Sequence, residues 1–317
     1  MATFSKNIEE DGIRVIKYSH KRNQLLRLLH MCYGVLRHAR SYDYILIDTF
    51  STRNFYYAWA TSQLGRLLGK KYIPILRGGD LPNRISRSVL LSKMIFNHAY
   101  KNVAPSHYLK EAFEAHGYST IYVPNILEID RYEFKERKEL KPNLLWVRAF
   151  KHLYNPVLAI EVLQKLKKEY PNASLCMIGP AKDDSFQQVK DKVASYGLEE
   201  DVEYTGVLSK EAWHKRSEEC DIFINTTNFD NTPVSVMEAM ALGLPVVSTN
   251  VGGMPYLIDS EKDGILVKKE NPQAMTDAIC SLLNGDFDSL ATNARSKAES
   301  FAWRNVKKKW FEIFSFS

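Results

Sequence analysis

The most informative stretch of the sequence is DIFINTTNFDNTPVSVMEAMALGLPVVSTNVGGMPYLI, residues Asp221 to Ile258. It opens with an apolar run and a polar loop, after which Thr232-Pro233 predicts a helix N-cap followed by proline at the first helical position. We expect the helix to run through Glu238 towards Gly243, and the run PVVST to form the next strand. A strand, a helix and a second strand in this order are typical of a βαβ unit with parallel strands.

Short β-branched or aliphatic runs alternate with helix-length stretches along the whole chain. Continuous apolar runs of this kind indicate parallel sheets that are buried on both faces. The predicted strands are residues 13–18, 42–49, 72–76, 102–106 and 120–125 in the first half, and 143–148, 174–179, 202–206, 221–226, 245–249 and 264–267 in the second.

The polar segment EFKERKELKPN, residues 133–143, separates the two series of strands. We therefore predict an α/β protein with two doubly wound, Rossmann-like domains that face each other across a cleft, residues 1–141 and 142–300. Open parallel sheets bind ligands at the carboxyl ends of their strands. In the second domain these ends are the loops after Arg148, Gly179, Gly206 and Thr226.

Composition sets the broad class of the protein. The chain has 317 residues, of which 45% are hydrophobic and 25% are charged, and this profile is that of a globular protein of about two domains. No apolar run reaches the length of a membrane span, the first residues lack a signal-peptide core, and the four cysteines are widely separated. We therefore expect a cytoplasmic protein.

The charge is unevenly distributed. Residues 1–140 hold 22 Lys and Arg against 13 Asp and Glu, a net +9, whereas residues 141–317 hold 21 against 24, a net −3. A basic half fits either an anionic partner, such as nucleic acid or lipid headgroups, or a solvated surface without a partner. No nucleic-acid-binding module accompanies the basic residues, so we expect no nucleic-acid partner.

The start of the predicted helix in the second domain is suited to a phosphate group, since its free N–H groups and the positive end of its dipole would face the cleft. Asp230 precedes this helix and Glu238 lies within it, so the two acids can reach different parts of one ligand. Alternatively, Asp230 caps the helix and Glu238 pairs with a surface lysine. The apolar neighbours of Glu238 argue for burial, where a carboxylate needs a partner.

These residues carry a family resemblance. The segment resembles the E-x7-E region of the family-4 retaining glycosyltransferases with the GT-B fold, here as Asp230-x7-Glu238 followed by AMALGLPVV and VGG. Further similar pieces are VAPSHYLKEAFEAHGY, VPNILEIDRYEF, LWVRAF, MIGP and YTGVLSKEAW, so the resemblance covers most of the chain. It implies that residues 301–317 form a helix that returns to the first domain, with Trp303 and Trp310 either anchoring it there or simply packing in a core.

The resemblance also implies roles for single residues. Asp230 would contact hydroxyls of the donor sugar, Glu238 would bind the ribose of the nucleotide, and Arg148 would neutralise the departing diphosphate. Gly179 and Gly206 would either let the backbone approach the nucleobase or serve as strand-end turn residues. The diphosphate would lie on the backbone of Asn231, Thr232, Pro233, Val234 and Ser235.

The chain departs from the family pattern in three respects. Asp230 replaces a glutamate, and Lys151 is the nearest substitute for a lysine that the family often has at the position of Leu153. No glycine-rich turn follows the first predicted strand, so we expect the first βα unit of the family to be missing and the first domain to be incomplete. On the acceptor side, LRGGDLP offers two interpretations: Arg77 or Asp80 contacts a substrate, or Gly78 and Gly79 only form a turn.

Residues 22–40 predict an amphipathic helix. Leu25, Leu28, Leu29, Cys32 and Leu36 have helical spacing, and four arginines surround them. The preferred interpretation is a helix that packs on the sheet with a solvated basic face. The alternative is a peripheral contact with anionic lipid at the inner face of the membrane, which would suit a lipid-linked acceptor.

The combined expectation is a retaining, hexosyltransferase-type enzyme that moves a sugar from a nucleotide-sugar donor to a glycan or lipid-linked acceptor in cell-surface polysaccharide synthesis. A guanidinium and a helix N-terminus can stabilise the leaving diphosphate without a metal ion. The motifs of the candidate site give no sign that a divalent ion is required, so we expect no metal and no cofactor. The alternative function is a non-catalytic relative that binds a nucleotide sugar.

Overall fold

The computed structural model describes residues 2–285 and 289–315. Contacts divide the chain into two units, one made of the residues up to Ile126 together with those from Trp303 onward, and the other of Leu127–Ala302. Among the described residues, no helix combines the length and the apolar character needed to cross a bilayer. Each unit contains a parallel sheet, so the predicted α/β fold class with two parallel-sheet domains is confirmed.

The sheet of the first unit has four parallel strands in chain order, β1-β2-β3-β4. Its core includes Phe55, Leu76 and Phe113, none of which is exposed. The strands are β1 Tyr44–Thr49, β2 Lys71–Leu76, β3 Asn102–Ala104 and β4 Thr120–Tyr122. The helices are α1 Ala2–Glu10, α2 Gln24–Arg37, α3 Phe55–Leu67, α4 Leu81–Arg87, α5 Val89–Phe96, α6 His107–Ala115 and, at the end of the chain, α14 Trp303–Phe314.

The sheet of the second unit has six parallel strands in the order β10-β9-β8-β5-β6-β7. Its strands are β5 Asn143–Val147, β6 Ser174–Ile178, β7 Val202–Gly206, β8 Ile222–Asn225, β9 Val246–Thr249 and β10 Ile265–Val267. Its helices are α7 Pro156–Leu166, α8 Ser185–Tyr196, α9 Lys210–Ser217, α10 Val234–Ala241, α11 Met254–Leu257, α12 Pro272–Leu283 and α13 Leu290–Ser300, with 3-10 turns at Ile129–Arg131 and His152–Tyr154.

The predicted first strand is not a strand. Residues 13–18 form neither a strand nor a helix, although the other ten predicted strands are found. A strand needs a neighbour for its backbone hydrogen bonds. Here a cavity of about 710 Å³ is lined both by these residues and by β1. Among the strands that the structure describes, β1 pairs with β2 alone, on its other edge.

The contacts divide the chain 15 residues before the predicted boundary at residues 141 and 142, since the first unit's continuous part ends at Ile126. Arg137 explains the difference. Its guanidinium is buried and donates hydrogen bonds to the carbonyl groups of Ser217, Cys220 and Gly243, which ties the charged segment to the second unit. The predicted limits at residues 1 and 317 lie outside the described residues.

The last helix, α14, lies in the first unit. The ring of Trp310 lies 4.6 Å from that of Phe4, and the Trp303 indole donates a hydrogen bond of 2.9 Å to Asp11. The Tyr44 hydroxyl donates to the carbonyl of Phe314 over 2.8 Å. Trp310 is therefore a core residue of the first unit, while Trp303 joins α14 to the end of α1.

Candidate active site

The second sheet has a topological switch point between β5 and β8. The chain leaves β5 towards β6 and β7 on one side, and then returns to build β8, β9 and β10 on the other side. Connections on opposite faces leave a crevice at the carboxyl ends of the two central strands, and open α/β sheets bind ligands there. A ligand-binding site is therefore expected in this crevice.

Arg148 and Asp230 meet at this crevice. Arg148 directly follows β5, Asp230 lies in the loop after β8, and their side chains form an ion pair with little exposure of either group. The guanidinium carbon of Arg148 also lies 4.3 Å from the centre of the Tyr154 ring. Burial lowers the pKa of Arg148, but an arginine side chain remains charged in proteins.

The loop after β8 is tied to the loop after β5. The backbone N–H of Asn228 donates to the carbonyl of Leu153 over 2.8 Å, and the Thr226 hydroxyl donates to the carbonyl of Tyr154 over 2.9 Å. The indole of Trp146, a buried residue of β5, donates in turn to the Thr226 hydroxyl. These bonds hold Arg148 and Asp230 at fixed positions in the crevice.

Gly179, which follows β6, is required by the packing of the same corner. Its φ is +148°, and a Cβ at this position would overlap the carbonyl oxygen of Arg148. Gly206 has a φ of +69° but open space around it, and its carbonyl accepts a hydrogen bond of 2.8 Å from the Gly179 N–H. The structure thus shows a strand-end packing role for Gly179, while contact of either glycine with a nucleobase stays a prediction.

Helix α10 begins one residue later than its sequence suggests. Pro233 is the N-cap and Val234 is the first helical residue, so the predicted N-cap at Thr232 is wrong by one position, because Pro233 has an extended ψ of 122°. The N–H groups of Val236 and Met237 both donate to the Pro233 carbonyl. The first N–H groups of the helix, those of Val234 and Ser235, are the ones that a helix leaves for an outside acceptor.

The VGG sequence packs against the loop that carries Asp230. The N–H of Gly253 donates to the carbonyl of Asp230 over 2.9 Å, and a Cβ on Gly252 or Gly253 would overlap the carbonyl of Asp230 or of Asn231. A cavity of about 520 Å³ opens beside these glycines, and Lys268 and Lys269 also line it. The glycines therefore let two loops approach closely at the carboxyl ends of β8 and β9.

Glu238 is buried in α10 with only 4% of its surface exposed. Its carboxylate accepts hydrogen bonds from the Tyr132 hydroxyl over 2.8 Å and from the Lys210 ammonium over 2.6 Å. The expected burial of Glu238 and a pairing with a half-exposed lysine are both found, whereas contact of Glu238 with a ligand stays a prediction. Burial and the nearby carboxylate together raise the pKa of Tyr132, which keeps this hydroxyl protonated as a donor.

The sequence alone does not identify Tyr132 and Lys210 as partners of Glu238. Tyr132 is 106 residues from Glu238 along the chain, so no local pattern joins them. Lys210 is the first residue of α9, directly after Ser209, whose side chain accepts the Ala212 N–H. The rule that a buried carboxylate needs a partner predicted the existence of such residues but not their identity.

Lys151 lies at the exposed start of the 3-10 turn His152–Tyr154. Next to it, within the described part of the chain, one group of side chains has the types and spacing of metal ligands: the exposed residues His152, Asp183 and Asp184, whose ligand atoms lie within 4.8 Å of one another. Asp183 accepts the His152 N–H over 3.0 Å, and Asp184 pairs with the imidazole over 2.7 Å. These contacts join the loops after β5 and β6.

The four acceptor-side residues of the prediction lie together in the first unit, after β2. Arg77 donates to Asp48 over 2.8 Å and to Asn125 over 2.6 Å. Asp80 is the N-cap residue of α4 and accepts from Asn83, while the Gly78 carbonyl accepts the N–H of Leu81, so Gly78 and Gly79 connect β2 to α4. The expected connection through Gly78 and Gly79 is therefore found, whereas contact of Arg77 or Asp80 with a substrate stays a prediction.

Comparison with known proteins identifies the family. The family described as Glycosyl transferases group 1 matches residues 128–301, which is more than half of the chain and contains the whole crevice. This chain belongs to the group 1 glycosyltransferases. The sequence resemblance is thus confirmed at the level of this family.

Two curated glycosyltransferases are similar in sequence to part of this chain. It is 32% identical over 151 residues to the amylovoran biosynthesis glycosyltransferase AmsK of Erwinia amylovora, and 29% identical over 153 residues to the putative colanic acid biosynthesis glycosyltransferase WcaL of Escherichia coli K12. Each match covers 45% of this chain, and the chain spans only 37% of each relative.

A solved structure shows the fold over nearly the full chain. Anabaena HepE in complex with UDP aligns with a TM-score of 0.79 at 18% identity, covering 99% of this chain and 89% of that protein. The likeness establishes the fold class, which matches that of GT-B glycosyltransferase structures.

Proposed function

We propose that this group 1 member is a retaining family-4 glycosyltransferase, which moves a hexosyl group from a nucleotide sugar to a glycan or lipid-linked acceptor in cell-surface polysaccharide synthesis on the cytoplasmic side. The observation that carries the proposal is the Arg148–Asp230 pair at the switch point, in the same unit as the free N-terminus of α10. The names of AmsK and WcaL support the polysaccharide context.

Two buried polar atoms support a ligand at this place. The Nε of Arg148 and the hydroxyl of Ser235, the second residue of α10, have no hydrogen-bond partner among the described residues. Buried polar groups are almost always satisfied, so such a pair favours a missing acceptor. A diphosphate offers several acceptor oxygens, and a guanidinium and helix N–H groups bind them well.

In the proposed reaction, the bond between the anomeric carbon and the diphosphate oxygen breaks, and a bond to the acceptor hydroxyl forms on the same face. The acceptor proton leaves with the nucleoside diphosphate. Arg148 and the N-terminus of α10, with the backbone of Asn231 to Ser235, stabilise the charge that develops on the leaving group. Asp230 orients the donor sugar, Glu238 holds the ribose, Lys151 lies beside the diphosphate, and Arg77 and Asp80 serve the acceptor.

The direct test is turnover of a panel of nucleotide sugars, with release of the nucleoside diphosphate as the readout. UDP-sugars come first, because HepE was solved with UDP-glucose. Glu238→Gln, which keeps the volume of the side chain, is expected to reduce turnover about 10- to 100-fold or more by loss of a charged hydrogen bond.

Glu203→Gln provides a matched control, since Glu203 is an exposed residue of the same unit that pairs with Arg216. Equal activity of the two variants would contradict the role of Glu238. A chain that binds a nucleoside diphosphate in calorimetry but consumes none of the nucleotide sugars would instead be the non-catalytic relative.

A further inference from the structure

Helix α2 turns an apolar stripe outwards. Leu25, Leu29, Tyr33 and Leu36 are 65%, 57%, 55% and 54% exposed, and Leu26 is 56% exposed. At about 100° per residue, these five positions fall within a sector of about 100° on one side of the helix. The preferred prediction, in which the leucines of this helix pack on the sheet, is therefore wrong for Leu25, Leu29 and Leu36, although Leu28 and Cys32 are half-buried.

Contacts on the opposite side fix this orientation. Gly34 and Val35 are buried, and a Cβ on Gly34 would lie 2.6 Å from the ring of Tyr18. The Val35 carbonyl accepts the Tyr42 hydroxyl over 3.0 Å, and the Gln24 carbonyl accepts the Tyr57 hydroxyl over 3.1 Å. Because Gly34 allows a close approach that no larger residue could match, rotating the leucines inwards would break these contacts.

The residues around the stripe are basic. Residues 20–40 contain five Lys and Arg and not one Asp or Glu. Arg22 and Arg40 lie just before and after the helix, Arg37 is in its last turn, and all three are exposed. An apolar stripe bordered by basic residues is complementary to a bilayer surface that contains anionic lipid, where acyl chains lie beneath phosphate groups.

We propose that α2 is the surface by which this chain lies on an anionic bilayer, with Leu25, Leu29, Tyr33 and Leu36 at the boundary between acyl chains and headgroups and the arginines on lipid phosphates. Fourteen residues make a helix of about 21 Å, which suits a helix in the plane of the interface. The proposal does not depend on sugar transfer, because a non-catalytic relative would bind in the same way.

The test is co-sedimentation of the full chain with vesicles of phosphatidylcholine alone or mixed with phosphatidylglycerol. We expect binding about tenfold or more stronger to the anionic vesicles, and its loss at high salt, since each Lys or Arg near such a surface contributes about a fivefold gain. Leu29→Glu with Leu36→Glu is expected to weaken binding by about tenfold or more.

The chain offers a matched control. Leu67 and Leu90 are 82% and 72% exposed on other helices of the same unit, so Leu67→Glu with Leu90→Glu introduces the same charges elsewhere and should leave the vesicle affinity within about threefold of the wild type. Arg37→Gln with Arg40→Gln removes charge without changing the stripe and is expected to reduce binding to anionic vesicles only. Glu238→Gln should bind vesicles like the wild type, which separates this proposal from the catalytic one.

Equal binding to the two kinds of vesicle, or equal loss with the α2 and the control variants, would overturn the proposal. A second result would also overturn it: the wild-type chain does not bind vesicles but forms a dimer, and Leu29→Glu with Leu36→Glu dissociates that dimer. The stripe would then be an interface between two copies of the chain.

Discussion

Arg77 and Arg148 occupy matching positions in the two units, and their surroundings differ. Each directly follows a buried strand and pairs with an aspartate, Asp48 for Arg77 and Asp230 for Arg148. The first sheet runs in chain order, so its described strands contain no switch point, whereas Arg148 lies at the switch point of the second sheet. The same residue pair therefore joins neighbouring strands and loops in one unit and lies in the switch-point crevice in the other.

The hydrogen bonds of the two guanidinium groups agree with this difference. Arg77 is bound to Asp48 and Asn125, which come from β1 and from the loop after β4. Arg148 has a buried Nε without a partner among the described residues and lies over the ring of Tyr154. A ligand can thus add contacts to Arg148, whereas it would have to compete for Arg77.

Truncation of each arginine in turn should give the largest difference between the two units. We expect Arg148→Ala to lower the rate of nucleotide-sugar turnover by about 10²- to 10³-fold, as the loss of one charge-stabilising donor does in other active sites. Arg77→Ala should lower it by less than about tenfold. Steady-state kinetics with the released nucleoside diphosphate as readout would measure both, and a larger effect at Arg77 would reverse our assignment.

The two strand-end glycines test how tightly the corner around Arg148 is built. Gly179→Ala is expected to reduce the free energy of unfolding by about 3 kcal/mol or more, because the new Cβ would overlap the Arg148 carbonyl. Gly206 also has a positive φ, of +69°, but open space around it, so Gly206→Ala should cost only about 1 kcal/mol. Urea titrations followed by circular dichroism would compare them, and equal losses would show that the close approach at Gly179 is unimportant.

A smaller effect is expected from the tyrosine that holds Glu238. Tyr132→Phe removes a donor from a buried carboxylate and should reduce the free energy of unfolding by about 1–3 kcal/mol. Tyr204→Phe is the control, since the buried Tyr204 hydroxyl has no partner among the described residues and its removal should be neutral or stabilising. Thermal melts that rank the two variants in the opposite order would contradict the network around Glu238.

The smallest expected effect concerns pH. His214 lies beside Tyr132, with ring centroids 4.7 Å apart, and burial lowers its pKa, an effect that the Glu238 carboxylate partly offsets. The folded state then binds fewer protons than the unfolded state, so the unfolding free energy should fall as the pH drops below about 6.5. His214→Gln should lose less stability than the wild type between pH 7.5 and 5.5, and an equal loss would show that His214 does not contribute.

The sequence predicted the second unit better than the first, and the reasons are physical. Six apolar runs and the Asp221 to Ile258 stretch specify strands and a helix N-terminus through local patterns. By contrast, residues 13–18 have the composition of a strand, but a ladder also needs a partner at the right distance. The spacing of the leucines in α2 predicted an apolar stripe without showing which side of the helix would be covered.

Long-range contacts account for the rest. Arg137 lies in a segment that is charged enough to suggest an exposed joint, yet five carbonyl groups surround its guanidinium, and these come from positions up to 106 residues away. The contacts of Tyr132 and Lys210 with Glu238 likewise depend on the fold. Pattern and periodicity locate the elements of the candidate site, but the partners of its buried charges depend on how distant loops meet.

A crystal structure of the chain with a bound nucleoside diphosphate would show whether a diphosphate group binds at the N-terminus of α10 beside Arg148. We expect diphosphate oxygens within about 3 Å of the N–H groups of Val234 or Ser235 and of the Arg148 guanidinium. A nucleotide that lies outside this crevice, with the Arg148–Asp230 pair and the start of α10 left untouched, would contradict this binding site.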